Sequence, residues 1–291
     1  MENRLGVYYA FLDPSDTVDW LSCLRRTREA GLNILEMSAP RLRRLTAQAR
    51  WEIADSAARQ GLGLTLATAL TPETDVSDAD PAVRAAGVQS LREDLKLARA
   101  MGATALGGVL TGVSKQFPPG VERTRGERVD RAIGSLREVA KAAEDLGVTL
   151  CVEAVNRFET PLVNTCEEAL RVAEAVDSPR LGVHLDAFHM NIEEANPAAA
   201  IRLAGRRLTH FHACENNRAL PGQGHIDWPS AFAALADIGY EGPIVMEALA
   251  GPYGGIAGRL NIWRVLSRDV DAELAAAACF LKERMVETRA V

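Results

Sequence analysis

Four residues of the kinds that hold metal ions recur in the second half of the sequence at a nearly constant interval. Glu153 lies in the apolar run Thr149–Ala154, Asp186 in Leu181–Ala187, His212 in Leu208–Ala213 and Glu247 in Pro243–Ala248, each next to the end of its run. The intervals are 33 residues (153 to 186), 26 (186 to 212) and 35 (212 to 247). Each is about one strand plus one helix, so in a closed parallel barrel the four side chains converge at the C-terminal mouth. A carboxylate at the end of a buried strand is unfavourable unless it is paired or bound to a cation. One such residue alone reads equally well as a salt bridge or a helix cap; four in step on consecutive units point to shared ligation. Three carboxylates and one imidazole make a hard, oxygen-rich set, suited to one divalent ion per chain: Mn²⁺ first, with Mg²⁺ or Co²⁺ as alternatives. Such a site leaves octahedral positions for two adjacent substrate oxygens, such as a carbonyl and its neighbouring hydroxyl.

The elements that must position these residues are legible as alternation. Four further strand-like runs precede them: Leu5–Ala10, Ile34–Ser38, Leu64–Ala69 and Ala105–Leu110. Amphipathic stretches of helical length separate and follow the runs: Val18–Ala30, Ala47–Gln60, Pro81–Met101, Gly126–Leu146, Cys166–Val176, Pro197–Leu203, Pro229–Ile238 and Ala272–Thr288. Gly31, Gly61, Gly102, Gly147 and Gly239 each stand just before the next strand, where a left-handed residue ends a helix. Eight such units predict a single α/β domain over residues 1–291, a (β/α)8 barrel. An open doubly wound sheet is disfavoured, because no G-x-G-x-x-G follows the first run. Two long connections, Thr111–Arg125 and Leu249–Arg268, fall at the expected mouth and are candidate lids. Within the second, Gly254–Arg259 reads as a flexible loop, although its backbone could cradle a phosphate.

Composition excludes other classes. The chain has 291 residues, 33 basic and 39 acidic, for a formal charge of −6. It lacks the basic footprint a nucleic-acid binder needs. No apolar run reaches the roughly 18 residues of a membrane helix, and Met1–Arg4 has no signal-peptide pattern. Cys23, Cys151, Cys166, Cys214 and Cys279 are odd in number and show no C-x2-C spacing. They read as reduced packing residues of a cytoplasmic protein.

The segments EAVNRFE (Glu153–Glu159), LDAFHMNIEE (Leu185–Glu194), HFH (His210–His212) and VME (Val245–Glu247) closely resemble the ketose 3-epimerases, the D-tagatose and D-psicose (D-allulose) 3-epimerase group of the xylose isomerase-like TIM barrels. Similarity is dense from about Thr149 to Arg264 and looser before it, where Gly6–Tyr9 and Leu35–Ser38 look like the first two strands of the family. The resemblance implies that Glu153, Asp186, His212 and Glu247 hold the metal, and that Glu153 and Glu247 are also the acid and base. It further implies that Glu159, His189 and Arg218 hold the hydroxyls at the reacting end, and that Tyr8 lines the pocket. On its own, Arg218 in the polar run Asn216–Arg218 reads as solvated, and His189 as a core histidine. The implied reaction is epimerisation at C3 of a free ketose (D-tagatose, D-psicose/D-fructose or L-ribulose type) through an enediolate, in a homodimer or homotetramer. Three departures from the family pattern bear on preference at C4 to C6: Val113–Pro118 in place of a Trp-Pro loop, Ala248 after Met246–Glu247, and Cys214 in place of a glycine.

Three alternatives stand beside this reading. The same metal and carboxylates would serve a hydroxypyruvate isomerase, or an inosose isomerase or dehydratase. A multi-zinc phosphodiesterase barrel would need more than the five histidines present, and a non-catalytic sugar binder would have little use for two flanking glutamates.

Overall fold

The computed structural model describes residues 3–287 apart from 116 and 118. Local signals start and stop its helices. In α3 (Pro81–Met101) the Asp80 side chain accepts from the Ala82 amide, and Pro81 occupies a first-turn position that needs no donor. Val88, Leu91, Leu95, Ala98 and Met101 follow at helical spacing and are buried. Gly102 ends the helix in the left-handed conformation. Side-chain caps also open α1 (Trp20–Glu29, Asp19), α2 (Ala47–Arg59, Thr46), α5 (Cys166–Val176, Thr165), α6 (Pro197–Ala204, Asn196) and α7 (Trp228–Asp237, Asp227). The five turn glycines all have φ between +63° and +74°. The remaining long helices are α4 (Val121–Leu146) and α8 (Val270–Glu287).

Eight parallel strands close into a barrel in sequence order: β1 (Leu5–Tyr8), β2 (Ile34–Ser38), β3 (Gly63–Leu70), β4 (Ala105–Val113), β5 (Thr149–Glu153), β6 (Leu181–Asp186), β7 (Leu208–His212) and β8 (Ile244–Met246). β8 returns to β1 through the pair Gly6↔Val245. Strand alternation sorts the side chains. His184 and Asp186 on β6, and His210 and His212 on β7, turn into the barrel, while Val183, Leu185 and Phe211, all fully buried, turn out towards the helices.

Several boundaries differ from expectation. β4 continues to Val113 and α4 begins at Val121, so the connection after β4 is shorter than Thr111–Arg125; Gln116 and Pro118 in it lie outside the described residues, as do Met1, Glu2 and Thr288. Tyr9–Leu12 and Ala187–Glu193 are short helices where strand ends were expected. Tyr9–Leu12 is buried and apolar, and Ala187 is buried at the start of its helix; periodicity over so few residues cannot separate a strand end from a first helical turn. Gly254–Arg259 is helical rather than a flexible loop. Ile256 and Ala257 are buried there, and a Cβ on Gly254 would stand 1.9 Å from the Pro14 carbonyl oxygen, so the segment is packed down. At the mouth, the Lys115 ammonium donates to the Arg259 carbonyl and joins the connection after β4 to the one after β8.

All five cysteines are free, four of them buried. Among the described residues no helix is long and apolar enough to cross a membrane.

One close backbone approach in the barrel wall is at Gly108, where φ is +111° and a Cβ would fall 2.3 Å from the Thr68 carbonyl oxygen. The β3–β4 register shifts just beyond, between Ala69 and Leu70. Gly108→Ala adds left-handed strain and a backbone clash together, and is expected to lose at least about 2 kcal/mol in urea unfolding. An unchanged midpoint would mean that the strand pair has room to yield.

Candidate metal centre and active site

Glu153, Asp186 and His212 are the last residues of β5, β6 and β7, and Glu247 directly follows β8. One ligand atom from each lies within 4.8 Å of the others. His212 Nδ1 is 3.5 Å from Glu247 Oε2 and 3.9 Å from Asp186 Oδ2. Asp186 divides its two oxygens. Oδ1 accepts from the Phe188 amide at 2.8 Å and so caps the helix Ala187–Glu193, which leaves Oδ2 for the cluster. Glu153 Oε1 and His212 Nδ1 are buried and have no hydrogen-bond partner among the described residues. Orphaned buried acceptors are unfavourable. A hard divalent cation satisfies a carboxylate oxygen and an imidazole lone pair together, so this donor set fits one.

The electrostatics separate the two glutamates. Burial pushes the Glu153 carboxyl well above the usual range, and the charges of Glu247 and Asp186 add to the push. Burial likewise lifts Asp186, to about 6, with Arg218 only partly offsetting it. At Glu247 burial also pushes upward, but Arg218 and His212 outweigh it and hold the group at about 2. Two carboxyls at one site therefore differ strongly in their hold on a proton, the usual signature of an acid and base pair. His212 is drawn well above the usual imidazole value: burial opposes its charge, but Glu36 and Glu247 prevail.

Arg218 is not solvated; it is 4% exposed and packs its guanidinium carbon 4.1 Å from the centre of the Phe188 ring. Its Nη1 donates to Asp186 Oδ2 at 2.8 Å and to Glu247 Oε2 at 2.6 Å. The loop that carries it is organised by Glu215, which accepts from the Gly222 amide (2.7 Å), the Ile226 amide (3.1 Å) and Trp228 Nε1 (2.7 Å). Arg218 sits at φ +64° and donates its own amide to the Glu215 carbonyl. No sequence signal marked Glu215, because its partners are mostly backbone groups 7 to 13 residues away.

His189 stands beside the cluster, with Nε2 3.6 Å from Glu153 Oε1 and 3.8 Å from Asp186 Oδ2. Asn156 faces its Nδ1 with both the backbone amide (3.3 Å) and the side-chain amide (2.8 Å). Arg218 Nη2 faces the other ring nitrogen, Nε2, at 3.0 Å, so donors flank the imidazole on both sides. Burial and the Arg218 charge keep this ring neutral. Glu159 lies further out: its carbonyl accepts from the Lys115 amide at 2.8 Å, and Asn156 Nδ2 lies 3.4 Å from its Oε1. Tyr8 ends β1, buried edge-on against Tyr9, and burial, with Tyr9 and Glu247, pushes its hydroxyl well above the usual value.

A second layer lies beneath the four. Glu36 on β2 meets His212 Nε2 at 2.8 Å and accepts from Thr65 Oγ1 at 2.8 Å, and His210 Nε2 lies 2.9 Å from the same oxygen as Thr65. His184 packs edge-on against His210 and His212, with ring centres 4.6 and 4.1 Å apart, so these three imidazoles form another grouping of ligand-type atoms. In the sequence Glu36 belonged to a strand-like segment without a role.

With fold and site in place, the likeness to known proteins is specific. The xylose isomerase-like TIM barrel family matches residues 24–264. The D-psicose 3-epimerase of Ruminiclostridium cellulolyticum is 35% identical over 92% of this chain and 92% of its own length. The L-ribulose 3-epimerase of Mesorhizobium japonicum is 35% identical over 96% of this chain and 93% of its own. A crystal structure of D-psicose 3-epimerase with D-tagatose from Clostridium cellulolyticum H10 superposes with a TM-score of 0.92 at 33% identity, covering 97% of this chain and 99% of that one. The chain belongs to the ketose 3-epimerase family of the xylose isomerase-like TIM barrels.

Loading with a metal must displace protons, because Glu153 and His212 hold theirs tightly and Asp186 titrates near 6. All three shifts are upward, so lower pH favours the protonated, metal-free groups. Mn²⁺ affinity is expected to rise from about pH 5 to pH 7, with proton release visible by calorimetry in buffers of different ionisation enthalpy. Mn²⁺ at 100 times its Kd should stabilise the fold by about 2.7 kcal/mol, reversibly with a chelator. A pH-independent affinity without proton release would contradict this donor set.

Proposed function

We propose that the chain epimerises a free ketose at C3 through an enediolate, with Glu153 and Glu247 as the acid and base. The observation that carries this reading is the placement of two glutamates at one site, on opposite sides of the cluster. They come from β5 and β8, three strands apart round the barrel, with Asp186 and His212 between them. Inverting a carbon next to a carbonyl requires a proton to leave one face and another to arrive on the opposite face. One carboxylate cannot easily reach both; two that flank the substrate can. One of the two takes the C3 proton as a carboxylate and the other returns one from the opposite face; the reverse direction exchanges the roles.

Glu153, Asp186, His212 and Glu247 would hold one divalent ion, with Mn²⁺ favoured by the hard donor set. When bound, such an ion withdraws charge from the substrate oxygens and lowers the energy of the enediolate. Arg218 and His189 would grip the oxygens at the reacting end. Arg218 Nη2 lies 3.0 Å from His189 Nε2 and can only donate, which holds the two side chains together at the reacting end. Glu159 would take a hydroxyl further out, and Tyr8 would line the wall. The substrate class is supported by the relatives named D-psicose 3-epimerase, ketose 3-epimerase and L-ribulose 3-epimerase. The same proposal takes residues 1–291 as one domain, working in a homodimer or homotetramer in the cytoplasm.

In D₂O with saturating Mn²⁺, the protein is expected to exchange C3–H of D-fructose, D-psicose, D-tagatose or L-ribulose and to form the C3 epimer, as followed by NMR. Glu153→Gln and Glu247→Gln should each lower turnover by about 10²- to 10⁴-fold at saturating metal. If all four sugars stay unlabelled while the metal binds, the reaction is a different one on the same centre, with hydroxypyruvate and inosose the next substrates to assay.

A further inference from the structure

His212 has two ring nitrogens, and the barrel gives them different partners. Nδ1 faces the ligand cluster, 3.5 Å from Glu247 Oε2. Nε2 points down to Glu36 Oε1 at 2.8 Å. An ionised carboxylate can only accept, so the ring proton of a neutral His212 belongs on Nε2 and the lone pair on Nδ1. Glu36 is itself fixed. It is 2% exposed, its second oxygen accepts from Thr65 Oγ1 at 2.8 Å, and His210 Nε2 stands 2.9 Å from that oxygen. It reaches His212 from β2, on the far side of β1 and β8.

We propose that Glu36 is the positioning residue of the metal centre: by accepting His212 Nε2–H, it fixes the tautomer and ring orientation that offer Nδ1 to the ion. Glu36 contributes no atom to the ligand cluster and touches no reacting atom. Its charge makes the imidazole a stronger donor to the metal, as an outer carboxylate does behind a ligating histidine. The inference rests on the preceding reading only in taking His212 as a metal ligand, and holds whichever ketose is turned over.

The test has two readouts besides activity. First, Mn²⁺ is titrated into wild type, Glu36→Gln and, as a control, Thr65→Val, which removes a Glu36 partner without touching His212. Glu36→Gln is expected to bind Mn²⁺ about 10- to 100-fold more weakly, with Thr65→Val close to wild type. Second, long-range ¹H–¹⁵N NMR of the Mg²⁺-loaded wild type is expected to show the His212 proton on Nε2; five histidines in all keep the spectrum assignable. A proton on Nδ1, or a folded Glu36→Gln protein with wild-type Mn²⁺ affinity, would overturn the proposal. If Glu36→Gln does not fold, the wild-type tautomer decides. Wild type that binds no metal would overturn the ligand assignment and this inference together, whereas metal-binding wild type with an indifferent Glu36→Gln overturns this inference alone.

Discussion

The rest of the structure depends on a concentration of buried charge. Three carboxylates, Glu153, Asp186 and Glu247, meet at the mouth of the barrel, and two of them, Glu153 and Asp186, are more than nine-tenths buried. Charges of one sign so close together and so far from water repel strongly and lose solvation. Every neighbouring polar group answers that demand. Arg218 donates to Asp186 and Glu247 from one guanidinium nitrogen, His212 is drawn towards its charged form, and Glu153 retains a proton. A divalent ion would satisfy the same demand more completely, which is why the arrangement reads as a metal centre and not as a structural ion pair.

Holding the cluster requires rigid support, and the fold supplies it from two directions. From the side, short local devices aim the side chains. Asp186 is fixed by capping a helix with its other oxygen, His189 by two Asn156 donors, and Arg218 by a loop that Glu215 closes on itself. The Arg157 guanidinium and amide both bond to Glu193, tying the segment after β5 to the helix after β6. From below, Glu36, Thr65, His184 and His210 replace the usual apolar filling of the barrel with a polar layer. Within that layer Glu36 and Thr65 hydrogen-bond to each other, while His184 packs edge-on against His210 and His212.

Much of this was legible in the chain, for reasons that are local. The eight units followed from apolar runs, amphipathic stretches and left-handed glycines, each a property of a few neighbouring residues. Asp80 before Pro81 and Gly102 after Met101 mark α3 at both ends before any tertiary contact is considered. The set of four ligand-type residues was legible because a strand-ending residue repeated once per unit must converge when the barrel closes. Less legible were features where a local segment serves two purposes. Ala187 was read as the end of a strand, yet it starts the helix that Asp186 caps. Gly254–Arg259 looked loose from its glycines, yet it is pressed against Pro14, far away in sequence.

By itself the sequence determined the barrel, the number of its units and the identity of four converging ligand-type residues, because periodicity and spacing carry that information along the chain. Only the tertiary structure decided that Arg218 is buried against Asp186 and Glu247, that Glu153 and Glu247 hold protons so differently, and that Glu36 stands behind His212. Those facts depend on burial and on distances between residues separated by 29 to 176 positions in the chain. Desolvation and charge pairing exist only after the strands have closed, and no local pattern encodes which distant group will lie within hydrogen-bonding reach.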